Sequence, residues 1–155
     1  MNSKRRLILA GFALSPLAMS LSACGKNGVW PEGMVEIKWD RDTCARCSMV
    51  ISDRRFAAQI RGGEKNTAFK FDDVGCAVFW LRDKLNEFPW MTAAATRYWV
   101  ADSTTKGERW LDPRSARYVG GKTSPMGYNY AAVAYPQAGA FDWQEMGQHV
   151  LALGK

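Results

Sequence analysis

One stretch of the sequence constrains the fold most: two short strand-like segments, a turn rich in glycine, and an acidic pair. Residues 56–60 and 67–71 predict the two strands of a hairpin, and residues 61–64 predict the turn between them. The carboxylates of Asp72 and Asp73 can accept the unpaired amide groups at the start of a helix. Apolar residues then recur at spacings of three and four, so the pattern predicts an amphipathic helix that ends near residue 85 and packs on the hairpin.

A similar order of signals recurs in the second half of the chain. Residues 97–101 and 109–111 predict a second strand pair, and residues 112–116 predict a short helix with proline near its start. A strand over residues 128–135 and a closing helix over about 141–151 complete the chain. This order is explained either by two related halves of the chain or by the chance recurrence of a common unit, a strand pair followed by a helix. In either case the prediction is an α+β fold of small antiparallel sheets with packed helices.

The first 23 residues have the pattern of a secretory signal peptide. Three basic residues at positions 4–6 precede a short apolar stretch over residues 7–14. Residues 21–24 resemble a bacterial lipobox, in which the cysteine becomes the lipidated first residue of the mature protein; an ordinary cleavage site beside an unrelated cysteine is the alternative. Gly25, rather than Asp, follows Cys24, which resembles the pattern for sorting to the outer membrane. We therefore expect a protein that is anchored through Cys24 and faces the periplasm.

Charge and composition limit the classes of function. The formal net charge is +6, and removing the three basic residues of the leader leaves +3, spread among acidic residues with no nucleic-acid recognition motif. The 47% hydrophobic fraction is too high for a disordered chain. Beyond the leader we expect a tether over residues 24–33, a first half over 34–95 and a second half over 96–155. Within the first half, residues 34–39 alternate in polarity and predict a further strand.

Residues 42–49 carry the clearest chemical signal. Cys44 and Cys47 are separated by two residues, a spacing at which a tight turn brings both sulfur atoms to one side. Met49 adds a thioether two positions later. Thiolate and thioether are soft donors that suit copper(I), whereas zinc sites are built from Cys, His and carboxylates. The pattern therefore favours copper over zinc.

Two other interpretations of the cysteine pair stay open. A disulfide is compatible with an oxidising periplasm, although it would close a very small loop and stabilise the fold little. A thiol–disulfide oxidoreductase would present the pair at a helix N-terminus within a βαβ unit, whereas a hairpin follows here.

Further metal ligands are predicted outside this motif. Met126 lies beside proline and glycine in a loop rather than on a periodic element, so we expect it to bind metal together with Cys44, Cys47 and Met49. Cys76 lies beside the apolar stripe of the predicted helix, where it is either a buried core thiol or a further ligand.

Zinc and enzymatic functions are the remaining alternatives. A structural zinc site made by Cys44, Cys47 and Cys76, with His149 as the fourth ligand, would stabilise an interaction module. His149 is the single histidine, so a multi-histidine zinc hydrolase site is excluded. The sequence also lacks a Gly-x-Ser-x-Gly motif, a phosphate-binding loop and a dinucleotide fingerprint. We therefore expect a binding protein rather than an enzyme.

Taken together, the motifs resemble those of the NosL family, the accessory lipoproteins of nitrous oxide reductase. Ser48 stands where this family commonly has glycine. The resemblance spreads over nearly the whole mature chain. Its elements are the lipobox at Cys24, the Cys44-x-x-Cys47-x-Met49 motif, the segment 71–76, and Ser124-Pro125-Met126-Gly127.

The resemblance implies an α+β fold with two similar ββαβ-type halves. It also implies a copper(I) chaperone, anchored in the membrane and facing the periplasm, that helps to assemble the copper centres of nitrous oxide reductase during denitrification. Its partners would be nitrous oxide reductase or a membrane assembly complex of that enzyme, with no nucleic acid. Cys47 and Met49 would hold copper(I), helped by Cys44 or Met126.

Overall fold

A computed structural model describes residues 30–154; the predicted signal peptide and Cys24 lie outside these residues. The predicted α+β class is confirmed, with two antiparallel sheets and two α-helices in the described chain. Within residues 30–154, no helix has the length and the hydrophobicity that a transmembrane segment requires.

The described strands are β1 (Ala58–Gly62), β2 (Thr67–Phe71), β3 (Arg97–Ala101), β4 (Trp110–Leu111), β5 (Arg117–Val119) and β6 (Ala131–Val133). The first four form the larger sheet in the order β2-β1-β3-β4, and every neighbouring pair is antiparallel. The pair of β1 and β3 joins segments from both sides of the predicted boundary near residue 95. Two further strands, β5 and β6, form a small antiparallel sheet.

The first hairpin follows the prediction with a shift of two residues in β1. Gly62 pairs with Thr67, so the turn contains the four residues between them rather than residues 61–64. Gly63 and Asn66 adopt φ angles of 72° and 49° in this turn, a left-handed conformation that glycine and asparagine tolerate best. The strands predicted at 67–71 and 97–101 have the observed bounds of β2 and β3.

Two α-helices pack against each other and cover the core. Helix α1 spans Val74–Lys84, and its N-cap is Asp73, as predicted, with the side chain accepting a hydrogen bond from the Gly75 amide. Helix α2 spans Trp143–Ala152 and begins with a capping box in which Asp142 and Glu145 satisfy each other's amide groups. A short 3₁₀ helix, Pro89–Thr92, connects α1 to β3.

Two predicted elements of the chain are wrong. Residues 34–39 do not form a strand, because the side-chain amide of Gln59 pairs with both the amide and the carbonyl of Val35 in place of a neighbouring backbone. Residues 112–116 form a turn rather than a helix: the Asp112 carbonyl accepts from both Ser115 and Ala116, and the chain then enters β5, which was not predicted. The predicted strand at 128–135 is shorter, since only β6 within it pairs.

Asp102 organises the turn between β3 and β4. Its buried carboxylate accepts hydrogen bonds from the Thr104 amide at 3.0 Å, the Thr104 hydroxyl at 2.7 Å and Arg109 Nε at 2.7 Å. Burial raises the pKa of Asp102, but the bonds from Thr104 and Arg109 lower it by more, so its pKa lies below the ordinary value.

We predict that this carboxylate contributes stability above its unfolded-state pKa of about 3.9 and that the contribution is lost as the pH falls through the lower folded-state value. Asp102→Asn should lower the free energy of unfolding at pH 7 by about 1–3 kcal/mol and flatten its dependence on pH below 5. Urea titrations between pH 3 and 7 measure both effects. Glu64→Gln, which removes an exposed carboxylate from the first hairpin turn, is the control; an unchanged pH profile in Asp102→Asn would contradict the prediction.

Gly75 is required by a close approach between α1 and Tyr128. A Cβ atom at position 75 would lie 2.2 Å from Cγ and Cδ2 of the buried Tyr128 ring. We predict that Gly75→Ala lowers the free energy of unfolding by about 1–3 kcal/mol, because the ring has to move out of a packed position.

Gly147→Ala is the matched control for Gly75→Ala. It lies inside α2, where the added Cβ would have Val78 Cγ1 as its nearest neighbour at 3.9 Å, an ordinary contact. This variant should gain up to about 1 kcal/mol from helix propensity. Equal effects of the two substitutions in chemical denaturation would show that the Tyr128 contact does not restrict position 75.

Candidate metal centre

A compact loop presents the Cys-x-x-Cys pair. The Cys44 amide donates to the Met49 carbonyl at 2.8 Å, and the Ser48 amide donates to the Cys44 carbonyl at 3.0 Å. An isolated β-bridge between Thr43 and Val50 closes the loop at its base. This arrangement buries the Cys44 side chain and leaves that of Cys47 half-buried.

The loop is attached to the end of β2, where α1 begins. The Ala45 amide donates to the Lys70 carbonyl at 2.8 Å, and the Lys70 ammonium pairs with Asp42 at 2.5 Å. Because Asp72 follows β2 directly and Cys76 lies in the first turn of α1, the loop, the strand end and the helix start meet at one place.

Four potential metal ligands converge there. Each of Cys44, Cys47, Asp72 and Cys76 contributes one donor atom, and these atoms all lie within 4.8 Å of one another. The three cysteines among residues 30–154 are free thiols, so Cys44 and Cys47 do not form a disulfide in this structure. We call these four residues the thiol–carboxylate cluster.

Asp72 gives the cluster an unsatisfied oxygen. Its Oδ1 accepts a hydrogen bond from the Cys47 thiol at 3.4 Å, whereas its buried Oδ2 has no hydrogen-bond partner within residues 30–154. A buried carboxylate oxygen without a partner costs free energy that a bound cation would recover. The donor atoms and this oxygen therefore fit a metal ion.

The three thiols differ in acidity. A hydrogen bond with Cys76 lowers the pKa of Cys44 to about 7, despite the opposing effect of burial. Burial raises the pKa of Cys47 to about 12, and the hydrogen bond to Cys44 together with burial raises the pKa of Cys76. Cys44 is thus the most acidic of the three thiols, and a metal ion that binds the other two sulfur atoms has to displace their protons.

The two predicted methionine ligands lie in different surroundings. The Met49 side chain is 58% exposed on the cysteine loop, and that of Met126 is half-buried. The Met126 amide donates to Asp73 Oδ2 at 3.1 Å, which attaches its loop to the start of α1. Metal binding by either thioether stays a prediction.

His149 lies apart from the cluster. It lies on α2, with its Nδ1 3.1 Å from the Tyr130 hydroxyl and its ring packed edge-on against Phe141, which precedes the helix. The zinc site predicted with His149 as its fourth ligand is therefore wrong in that ligand, because Asp72 joins the three cysteines instead.

Asp72 is the site residue that sequence reasoning missed. The acidic pair predicts a helix cap, which the structure confirms for Asp73 and not for Asp72. Asp72 lies before the N-cap and outside α1, so helical spacing does not relate it to Cys76 and the local sequence carries no signal for its place in the cluster.

An arginine and a tyrosine lie beside the cluster. Arg46 Nη1 donates to the Tyr128 hydroxyl at 2.7 Å, and its guanidinium carbon lies 4.4 Å from the centre of the Phe79 ring. Burial, with further contributions from nearby groups that include Cys76, raises the pKa of Tyr128 to about 12. The Tyr128 phenol is therefore neutral at physiological pH, and its ring is buried next to the start of α1.

Comparison with known proteins identifies the fold. It is similar to that of the crystal structure of the copper chaperone NosL from Shewanella denitrificans, with a TM-score of 0.56 over 76% of this chain and 88% of that one. The fold is NosL-like. The two sequences are 14% identical, so the likeness concerns the fold alone. No protein-family model and no curated protein matches the sequence.

Ser48 offers a test of the loop that holds the cysteines. Its φ of 62° is left-handed, a conformation in which glycine is unstrained and a β-branched residue is strongly disfavoured. We predict that Ser48→Val lowers the free energy of unfolding by about 1–3 kcal/mol and that Ser48→Gly is neutral or stabilises by up to about 1 kcal/mol.

Ser52→Val provides the control for this loop. Ser52 is also exposed, but it is not among the described residues with a positive φ, so the substitution should change stability by less than about 0.5 kcal/mol. Thermal or urea unfolding of the three variants gives the order. A stable Ser48→Val protein would show that the loop adopts another conformation.

Proposed function

We propose that this chain is a copper(I)-binding chaperone of the NosL type. The observation that carries the proposal is the thiol–carboxylate cluster, in which three free thiols converge with Asp72, a carboxylate that has one buried oxygen without a hydrogen-bond partner in residues 30–154. The NosL-like fold is consistent with this function, since the structure that it resembles is a copper chaperone.

The donor chemistry supports copper(I) over harder cations. Three sulfur atoms form a soft donor set, and soft ions bind thiolates in preference to oxygen ligands. Met49, two residues after Cys47, and Met126, in the loop attached to Asp73, provide thioethers from two further positions. In the proposed site Cys47 and Met49 bind the ion, helped by Cys44 or Met126, with Cys76 as an additional ligand.

The exposure of the donors suggests how copper would leave. Cys44 and Cys76 are buried, Cys47 is half-buried, and Met49 is largely exposed. A sulfur or nitrogen atom of a receiving protein can therefore approach from the side of Cys47 and Met49. It binds the ion before the bonds to this chain break, so that copper(I) is exchanged between ligands without a change of oxidation state and without release into water.

The location and the client are parts of the same proposal. Acylation of Cys24 would hold the domain at the membrane, most simply the outer membrane, on its periplasmic side. Confinement to a membrane raises the effective concentration of the chaperone near a membrane-bound assembly complex. The proposed client is nitrous oxide reductase, whose copper centres would receive the ion directly or through that complex.

A structural zinc site is the second candidate, because three cysteines and one aspartate also form a donor set that zinc accepts. In that case the cluster would stabilise an interaction module and the methionines would have no part in metal binding. The two candidate functions predict different effects on metal binding when a methionine thioether is removed.

We predict that the chain from residue 25 onward binds one copper(I) in an anaerobic competition with a coloured chelator. Met49→Leu and Met126→Leu keep the side-chain volume but remove the thioether. Each substitution should therefore weaken copper(I) binding by about tenfold or more and leave zinc binding unchanged. Cys47→Ser should weaken both metals, because it removes a donor that both use.

Met91→Leu is the matched control, since Met91 is fully buried in the 3₁₀ helix and is not a proposed ligand. It should bind copper(I) as the unsubstituted chain does. Tight zinc binding that is indifferent to both Met49→Leu and Met126→Leu, together with weak copper(I) binding, would overturn the chaperone proposal in favour of the structural site.

A further inference from the structure

A groove separate from the thiol–carboxylate cluster lies between the two helices. It has a volume of about 640 Å³ and is lined by residues of α1, α2, β3 and the turn after β4. Its apolar side chains include Val78, Leu81 and Leu85 on one side and Trp143 and Leu151 on the other. No member of the cluster lines it, so the groove is independent of the proposed copper site.

The charge of the groove has one sign. Arg82 and Arg114 line it, and no aspartate or glutamate does. Arg82 Nε already pairs with Asp83 Oδ1 at 2.6 Å. The Arg114 guanidinium lies 4.7 Å from the centre of the Tyr98 ring and forms no ion pair with a carboxylate of residues 30–154. The groove thus combines an apolar body with a cation that has no anionic partner in the described chain.

Gly147 keeps the helix surface open within the groove. It lies inside α2 and has no side chain to fill the groove. A Cβ atom at this position would have its nearest neighbour, Val78 Cγ1, at 3.9 Å. The space beside this residue accommodates atoms of a ligand without displacing the protein. The volume also lies within the range of about 300–1,000 Å³ that is typical of small-molecule sites.

We propose that this groove binds an anionic amphiphile with an unbranched apolar tail and one carboxylate, the chemistry of a long-chain fatty acid. The tail would lie along the leucines and Trp143, where it removes apolar surface from water. The carboxylate would pair with Arg114, whose planar guanidinium suits a carboxylate with two parallel hydrogen bonds. A neutral ligand would fill the groove but leave this cation without a counterion.

The test uses 11-(dansylamino)undecanoic acid, whose fluorescence rises in an apolar site, and its methyl ester as the neutral counterpart. The protein is the chain from residue 25 onward, which contains every residue of the described fold. We expect saturable binding of one acid per chain and about tenfold weaker binding of the ester, because the ester lacks the charge. Arg114→Gln should weaken binding of the acid by about tenfold and leave binding of the ester unchanged.

Two further variants test the apolar part. Gly147→Leu, which fills the groove from α2, should prevent binding of both probes. Leu85→Ser, at a side chain that is 36% exposed and therefore tolerant of substitution, should weaken both. Lys65→Gln removes the same unit charge from the first hairpin turn, which does not line the groove, and should change neither.

Several outcomes would overturn the proposal. Equal binding of acid and ester, or an Arg114→Gln protein that binds the acid normally, would show that no carboxylate is recognised at Arg114. Sedimentation that shows a dimer in the unsubstituted chain and a monomer in Leu85→Ser would assign the groove to an interface between copies. Copper(I) binding is measured on the same variants and should be unchanged. A failure of the copper(I) proposal can therefore be distinguished from a failure of the groove proposal.

Discussion

The buried Asp73 carboxylate is the interaction on which the arrangement of the site depends. It accepts hydrogen bonds from the Gly75 amide at 2.9 Å, the Ser124 hydroxyl at 2.6 Å and the Met126 amide at 3.1 Å. One side chain therefore begins α1 and attaches a loop that lies some fifty residues later in the sequence. Burial raises the pKa of this carboxyl, so the three donors have to compensate for the loss of water around it. Gly75 permits the close approach that brings Tyr128 to the same place.

The neighbouring Asp72 has the opposite character. Asp73 is satisfied by three donors, whereas Asp72 has one long contact with a thiol and one oxygen without a partner in the described chain. Two adjacent carboxylates thus have different surroundings: that of Asp73 is hydrogen-bonded within the fold, and that of Asp72 faces the cysteine thiols. The sulfur atoms of Cys44, Cys47 and Cys76 all lie close to the Asp72 carboxylate. Of the three thiols, only that of Cys47 is partly exposed to water.

Much of the fold follows from local patterns. The bounds of β2 and β3, the cap at Asp73 and the existence of α2 are readable because each depends on neighbours within a few residues. The errors arise where a distant group replaces a local one. Val35 lies in a segment with the alternation of a strand, yet the Gln59 side chain takes the hydrogen bonds that a paired strand would need. The turn at Asp112 likewise does not continue into a helix, because the residues that follow it form β5 and pair with β6.

The α+β class, the position of the cysteine motif and the helix start at Asp73 can be predicted from the sequence alone, since periodicity, spacing and capping are short-range properties. Which donor atoms come together depends instead on contacts between distant parts of the chain. Cys76 and Asp72 join Cys44 and Cys47 because the loop is hydrogen-bonded to the end of β2, and His149 is excluded because α2 places it against Phe141 and Tyr130. The physical reason is that a metal site depends on distances between atoms far apart in the chain, and these distances are set by the packing of the whole core rather than by the residues around each ligand.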